Sequence, residues 1–140
     1  MADPAFLDRL DFHLEGEVVV LDRPLRYRSG DARVFTVPAG FRNDLASVPA
    51  WLRSLAPSWQ QTARAGVLHD CLYRWFEVWS VSRADSDALF HEALRVDRTD
   101  AFRAWLLWKA VALFGGAAWK RWRRTSQAER GVRPPPILEP

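Results

Sequence analysis

The run Leu68-His69-Asp70-Cys71-Leu72-Tyr73 sets two ionisable side chains side by side in a stretch that is otherwise apolar. The surrounding residues 59–77 have helical periodicity, with Ala63, Gly66, Val67, Leu72 and Trp75 on the side expected to be buried. A helix interior disfavours aspartate by a few tenths of a kcal/mol. Polar groups beside apolar neighbours need partners if they are buried. The fold must therefore bring something to this helix that satisfies His69 and Asp70. Eighteen residues on, Ser86-Asp87-Ala88-Leu89-Phe90 offers a carboxylate. Ser82-Arg83-Ala84-Asp85 is a capping box that opens a second helix over 84–94. The connection is short, so the two helices are expected to pack antiparallel with Asp87 facing His69.

Upstream, the pattern changes to that of strands. Glu17–Leu21 is short and β-branched, Leu25–Arg28 alternates apolar and basic, and Arg33–Val37 is a third such segment. Asp22-Arg23-Pro24 and Ser29-Gly30-Asp31 are turn signals, which together predict an antiparallel meander. Residues 1–15 give no assignment. Pro38 to Asp44 reads as a loop, with a short helix starting at Ser47-Val48-Pro49 and stopped at Pro57-Ser58, where Ser58 caps the next helix. Thr99 or Asp100 caps a last helix over 101–123, kinked at Gly115-Gly116. The class expected is α+β: a small N-terminal antiparallel sheet followed by three to four packed helices. The expected domain covers 1–124, and 125–140, with Pro134-Pro135-Pro136, is expected to be a flexible tail.

Charge and composition narrow the function classes. One cysteine, Cys71, excludes an internal disulfide framework and a multi-cysteine zinc site, and reads as a small buried hydrophobe. Three histidines leave little for a histidine-rich metal centre. His13 and His91 show no constellation, and His91 is expected to face solvent beside Glu92. No basic region followed by an apolar run opens the chain, so no secretory signal is expected and synthesis in the cytosol is the default. Residues 1–100 hold 12 basic and 15 acidic groups, whereas 101–133 hold eight basic groups and one acid. Four of the eight tryptophans, Trp105, Trp108, Trp119 and Trp122, lie in that basic end. Such a segment suits an anionic surface.

The run 104–114 is apolar nearly all round but too short to span a bilayer, which needs about 20 such residues. Two readings stand: a central buried helix, or an interfacial helix with Trp119 and Trp122 at headgroup level and Lys120, Arg121, Arg123 and Arg124 on anionic lipid. Nucleic acid ranks third, since no reading module is evident.

The chemistry of the helical pair follows from its geometry. Asp87 accepting from one nitrogen of His69 fixes the tautomer and stabilises the imidazolium, so His69 can act as a general base on water. Asp70 lies about 100° further round the helix. It can hold a hard cation such as calcium, with Asp44 and the carbonyls around Gly40 as further oxygen ligands. The alternative is a buried polar network that only staples two helices. Asp44 or Ser47 can equally cap the helix near Val48. Arg64 and Arg74 can bind phosphate, or serve as solvated helix charges and ion-pair partners.

A His-Asp-x-x-Tyr helix followed by the Ser86-Asp87-x-x-Phe90 segment resembles the catalytic helix pair of phospholipase A2, in its compact bacterial and parvoviral forms, over residues 64–94. By that resemblance His69 is the base, Asp70 binds calcium, Asp87 orients the histidine, and Tyr73 supports Asp87 through its hydroxyl. A second resemblance covers residues 15–120. Pro38-Ala39-Gly40-Phe41, Asp44-Leu45-Ala46-Ser47-Val48-Pro49, Leu68-His69-Asp70, Leu72-Tyr73-Arg74 and Leu113-Phe114-Gly115-Gly116 resemble an uncharacterised family, domain-of-unknown-function family 1353, of tailed phages and prophages. It implies a phage setting and no established activity. The two functions expected are a calcium-type ester hydrolase acting on lipid at an anionic membrane, and a non-catalytic virion or assembly protein whose basic Trp-rich helix binds other phage structural proteins.

Overall fold

In the computed structural model, residues 2–44 and 59–139 are described. The expected helix at Ser47–Pro49 and the cap at Ser58 lie outside them. Among the described residues, six short strands precede five α-helices, an α+β order. The strands are β1 (Ala5–Phe6), β2 (Phe12–Glu15), β3 (Val18–Leu21), β4 (Leu25–Arg28), β5 (Val34–Val37) and β6 (Arg42–Asp44).

All pairings are antiparallel, but they form two sheets, β1-β4-β5 and β2-β3-β6, not one meander. The β4–β5 hairpin is the part the turn signals anticipate. Its loop closes with Ser29 N–H donating to the Arg33 carbonyl at 2.9 Å, while Asp31 accepts from Ser29 Oγ and from Arg33 Nε. β3 does not continue into β4. Its edges are taken by β2, across a turn at Gly16 with φ +64°, and by β6. Arg42–Asp44 is therefore a strand where a loop is expected. Val18 faces Asp44 and Val20 faces Arg42, a long-range match to a valine-rich edge that the local Asn-Asp signal does not carry.

Period-two patterning decides which side chains go inward. Leu25 and Tyr27 of β4, with Phe35 and Val37 of β5, are buried, while Arg26 points out to Asp8. These residues meet the inner face of helix α1 (Trp59–Arg74), where Ala65, Leu68, Cys71 and Leu72 are buried. Each fully buried leucine or phenylalanine contributes about 1.5–3 kcal/mol. Of the five positions expected to be buried near α1, Val67, Leu72 and Trp75 are, while Ala63 and Gly66 are half-buried. After the one-turn helix α2 (Phe76–Trp79), Ser82 caps helix α3 (Arg83–Val96) by accepting from Asp85 N–H at 3.0 Å. Tyr27 donates to Glu92 of α3 at 2.6 Å, tying the first sheet to that helix. His91 is half-buried against Trp108, ring centroids 5.1 Å apart, not turned to solvent; burial and Arg95 hold its pKa below the ordinary value.

Asp100 caps α4 (Ala101–Phe114), accepting from Arg103 N–H at 3.0 Å. A break at Gly115 separates it from α5 (Gly116–Arg124). α4 is neither central nor enclosed. It buries Ala104, Leu107 and Ala110, and turns Phe102, Trp105 and Leu113 outward. Trp119 is buried edge-on against Tyr73, 5.1 Å between centroids, and Trp122 is half-buried with guanidinium groups over its ring. These two tryptophans are therefore packing residues and not headgroup anchors. Among the described residues, no helix is long and apolar enough to cross a membrane.

The C-terminal segment also departs from expectation. Ser126 and Glu129 form a reciprocal capping box on a 3-10 turn over Gln127–Arg130. The chain then lies back on the domain. Leu138 and Val34 exchange two backbone hydrogen bonds (2.9 and 3.0 Å), Trp79 donates its indole N–H to the Pro135 carbonyl at 2.9 Å, and Ile137 packs on the core. Prolines that cannot pair in a ladder do not prevent this, because the bonds use carbonyls and the N–H of Leu138. Ending the chain after Arg133 removes these contacts and strands the Trp79 indole. The expected loss is about 2–4 kcal/mol in urea unfolding, and an unchanged midpoint would show that the segment does not dock.

Candidate functional site

α1 and α3 pack along their lengths and place His69 opposite Asp87. His69 Nε2 lies 2.7 Å from Asp87 Oδ1, and Tyr73 Oη donates to the same oxygen at 2.6 Å. His69 and Tyr73 are one helical turn apart, so both reach one carboxylate from one face. A carboxylate only accepts, so Nε2 carries the hydrogen and Nδ1 is the ring nitrogen left to take a proton. The pair is largely withdrawn from water: the side chain of His69 is 14% exposed and that of Asp87 5%. The imidazole packs against Tyr73 and Phe90, at 4.3 and 4.7 Å between centroids. Burial and the Asp87 carboxylate push the Tyr73 hydroxyl well above its usual pKa, so it stays a donor.

Further residues hold Tyr73. Gly115 is the closest: a Cβ there would stand 2.6 Å from Tyr73 Oη and 2.5 Å from the Val111 carbonyl, so the helix break must be glycine. Arg83 Nε lies 3.4 Å from the same hydroxyl, while its Nη2 donates to the Ala112 carbonyl at 2.5 Å, capping the open end of α4.

Asp70 points elsewhere, as its position round the helix requires. Its Oδ2 accepts from Arg74 Nη2 at 2.5 Å, an i,i+4 pair. Arg74 also donates to the Arg42 carbonyl in β6 at 2.8 Å and to the Arg130 carbonyl at 3.4 Å. Its guanidinium lies between the rings of Phe41 (4.4 Å) and Trp122 (4.6 Å). Arg130 reciprocates by donating to the Arg74 carbonyl at 3.1 Å and pairing with Glu77. Burial raises the Asp70 pKa against the opposing pull of Arg74.

This arrangement does not fit the expected calcium site. The guanidinium of Arg74 already bridges Asp70 and a β6 carbonyl, so the carboxylate oxygen offered to a cation is taken. Several backbone groups around Gly40 are engaged in pairing. Gly40 N–H donates to the Leu21 carbonyl (2.7 Å), and the Phe41 and Pro38 carbonyls accept from Leu21 (3.0 Å) and Phe41 (3.2 Å). Gly40 itself has φ +84° in the turn before β6, with Val132 alongside. Asp44 pairs through its backbone with Val18, and its side chain lies outside the described residues. Among the described residues, no three His, Cys, Asp or Glu side chains gather round one point.

Of the expected site residues, His69, Asp87 and Tyr73 thus come together, whereas Asp70 belongs to the Arg74 cluster and Gly40 sits in the turn before β6. Arg64 is an ion-pair partner of Asp97, and Cys71 is buried in the core with its thiol pushed far up. Arg74, read from sequence as a phosphate binder, a solvated charge or an ion-pair partner, is the last of these, pairing with Asp70, whereas Arg83, Arg130 and Gly115 were not singled out by sequence as site residues. The i,i+4 spacing of Asp70 and Arg74 is a legible signal for that pair.

The Asp70–Arg74 pair is expected to be coupled. In a double-mutant cycle of Asp70→Asn and Arg74→Gln, the coupling should be about 1–3 kcal/mol, with Arg74→Gln the costlier single change because it also frees two carbonyls. Strict additivity, measured by urea unfolding, would contradict the bridge.

No curated protein and no solved structure matches this chain. A family profile does, described as a protein of unknown function, DUF1353, over residues 19–111. That span holds α1, α3, the His69–Asp87–Tyr73 cluster and most of α4, and covers more than half the chain. The chain belongs to this family of unknown function, DUF1353.

Proposed function

We propose that the protein is an ester hydrolase in which His69 activates water. One observation carries the reading: Asp87 accepts from both His69 Nε2 and Tyr73 Oη, leaving Nδ1 as the proton acceptor. Nδ1 takes a proton from water as the oxygen attacks the ester carbonyl. The imidazolium so formed is stabilised by Asp87, and the proton then passes to the leaving alkoxide. Tyr73 keeps the carboxylate in line. A lipid ester is the substrate class, on the resemblance of this helix pair to phospholipase A2, and a tailed phage or prophage is the setting, on the resemblance of the wider chain. No step is routed through a metal, because Asp70, the ligand the resemblance implies, is already paired with Arg74.

A second reading has its own support. The ring is 14% exposed and flanked by two aromatic rings, as suits a polar staple in a virion or assembly protein. The two separate on one experiment. Wild-type protein should release fatty acid from phospholipid. His69→Gln should lower the rate by about 10²–10⁴-fold with the fold intact by circular dichroism. If wild type releases none, and His69→Gln only lowers the melting temperature, the pair is a staple.

A further inference from the structure

Helix α4 is built inside out. Its buried residues are mostly small, Ala104 and Ala110 beside Leu107, and let it approach α3 closely. Its large apolar side chains are on the outside: Phe102 is 68% exposed and Leu113 74%, with Trp105 nearly half exposed. Phe102, Trp105, Lys109 and Leu113 follow one another by three, four and four residues, which places them on one face. Phe102 and Trp105 stack on each other at 6.5 Å and leave the rest of the face uncovered. Exposed patches of this kind mark an interaction surface.

The charge identifies what covers it. From Ala101 to Arg124 there are six basic residues, all exposed, and no acidic residue. Past the Gly115 break, Lys120, Arg121 and Arg124 line one side of an open cleft of about 560 Å³. The carboxylate at its end, Glu129, is engaged by Ser126. A row of large apolar groups that continues into a row of cations fits a surface with an apolar interior and anionic oxygens at its rim. At 14 residues α4 measures about 21 Å, short of the roughly 30 Å hydrocarbon core, so it would lie in the surface and not cross it. A second copy fits less well. Two such stripes laid antiparallel bring their Lys109 ammonium groups within a turn of each other. Nucleic acid would leave Leu113 against phosphate.

We infer that the outer face of α4 and the basic face of α5 dock this protein on an anionic phospholipid bilayer, with Phe102, Trp105 and Leu113 in the acyl boundary and Lys109, Lys120 and Arg124 on headgroup phosphates. The surface deepens the lipid-ester reading, but binding is read without turnover, so the two fail separately.

The test is co-sedimentation of the full chain with phosphatidylcholine vesicles, with and without phosphatidylglycerol, with tryptophan emission followed in parallel. Binding with a blue shift is expected only with phosphatidylglycerol. The triple variant Lys109→Gln, Lys120→Gln, Arg124→Gln should lower the partition coefficient about a hundred-fold. Phe102→Ser, Leu113→Ser should lose the blue shift. All these positions are exposed, so the fold is retained. His69→Gln should bind as wild type does. No binding to the anionic vesicles, equal binding by the triple variant, a dimer that the serine variant dissociates, or a preference for duplex DNA would each overturn the inference. Vesicle binding by a protein that hydrolyses nothing would uphold it and remove the hydrolase.

Discussion

A carboxylate almost out of reach of water is the constraint around which this molecule is organised. Asp87 sits on the face of α3 that meets α1, where an unpaired charge would cost several kcal/mol. His69 and Tyr73 both turn to it from α1, and that double contact sets how the two helices slide against each other. The requirement spreads outward. Tyr73 can reach Asp87 only because the backbone at Gly115 has no side chain there. Arg83 completes the cage by joining the hydroxyl to the open end of α4, and Trp119 closes it edge-on. The break between α4 and α5 is thus part of the same device as the dyad.

Arg74 organises the other side of α1. Its single fixed charge gathers Asp70, the Arg42 carbonyl, the Arg130 carbonyl and two aromatic rings. Guanidinium presents several donors in one plane, so it can join a helix, a strand and the C-terminal segment at one point. Lysine, with a compact ammonium, could not span these partners. The two polar clusters divide the labour of the His-Asp motif: His69 turns to α3, and Asp70 turns to assembly of the sheet and the C-terminal segment.

What sequence reveals of this depends on how local each signal is. The alternation in Leu25–Arg28 and Val34–Val37, the cap at Ser82 and the one-turn spacing of His69 and Tyr73 are written within a few residues, and with the short connection to the helix of Asp87 the α+β order and the dyad geometry follow from them. Partner choice between strands is not local. β3 carries the same valines whether it pairs with β4 or with β2 and β6, and β2 is mostly exposed, with Leu14 itself turned to solvent, so the alternation of its Phe-His-Leu-Glu marks no buried face. α4 was hidden for a different reason: a helix apolar on every side has no periodicity to tell inside from outside, and only the small size of Ala104 and Ala110 marks the packed face. The Pro-rich ending reads as loose because docking through carbonyls leaves no pattern in residue type, although the Ser126–Glu129 box was there to be seen.

The state of one ring nitrogen tests the clamp most directly. In a long-range proton–nitrogen spectrum of the labelled protein, neutral His69 should show hydrogen on Nε2 and a bare Nδ1, and Asp87→Asn should disturb that tautomer. A ring protonated on Nδ1, or one indifferent to the loss of the carboxylate, would contradict an imidazole held by Asp87.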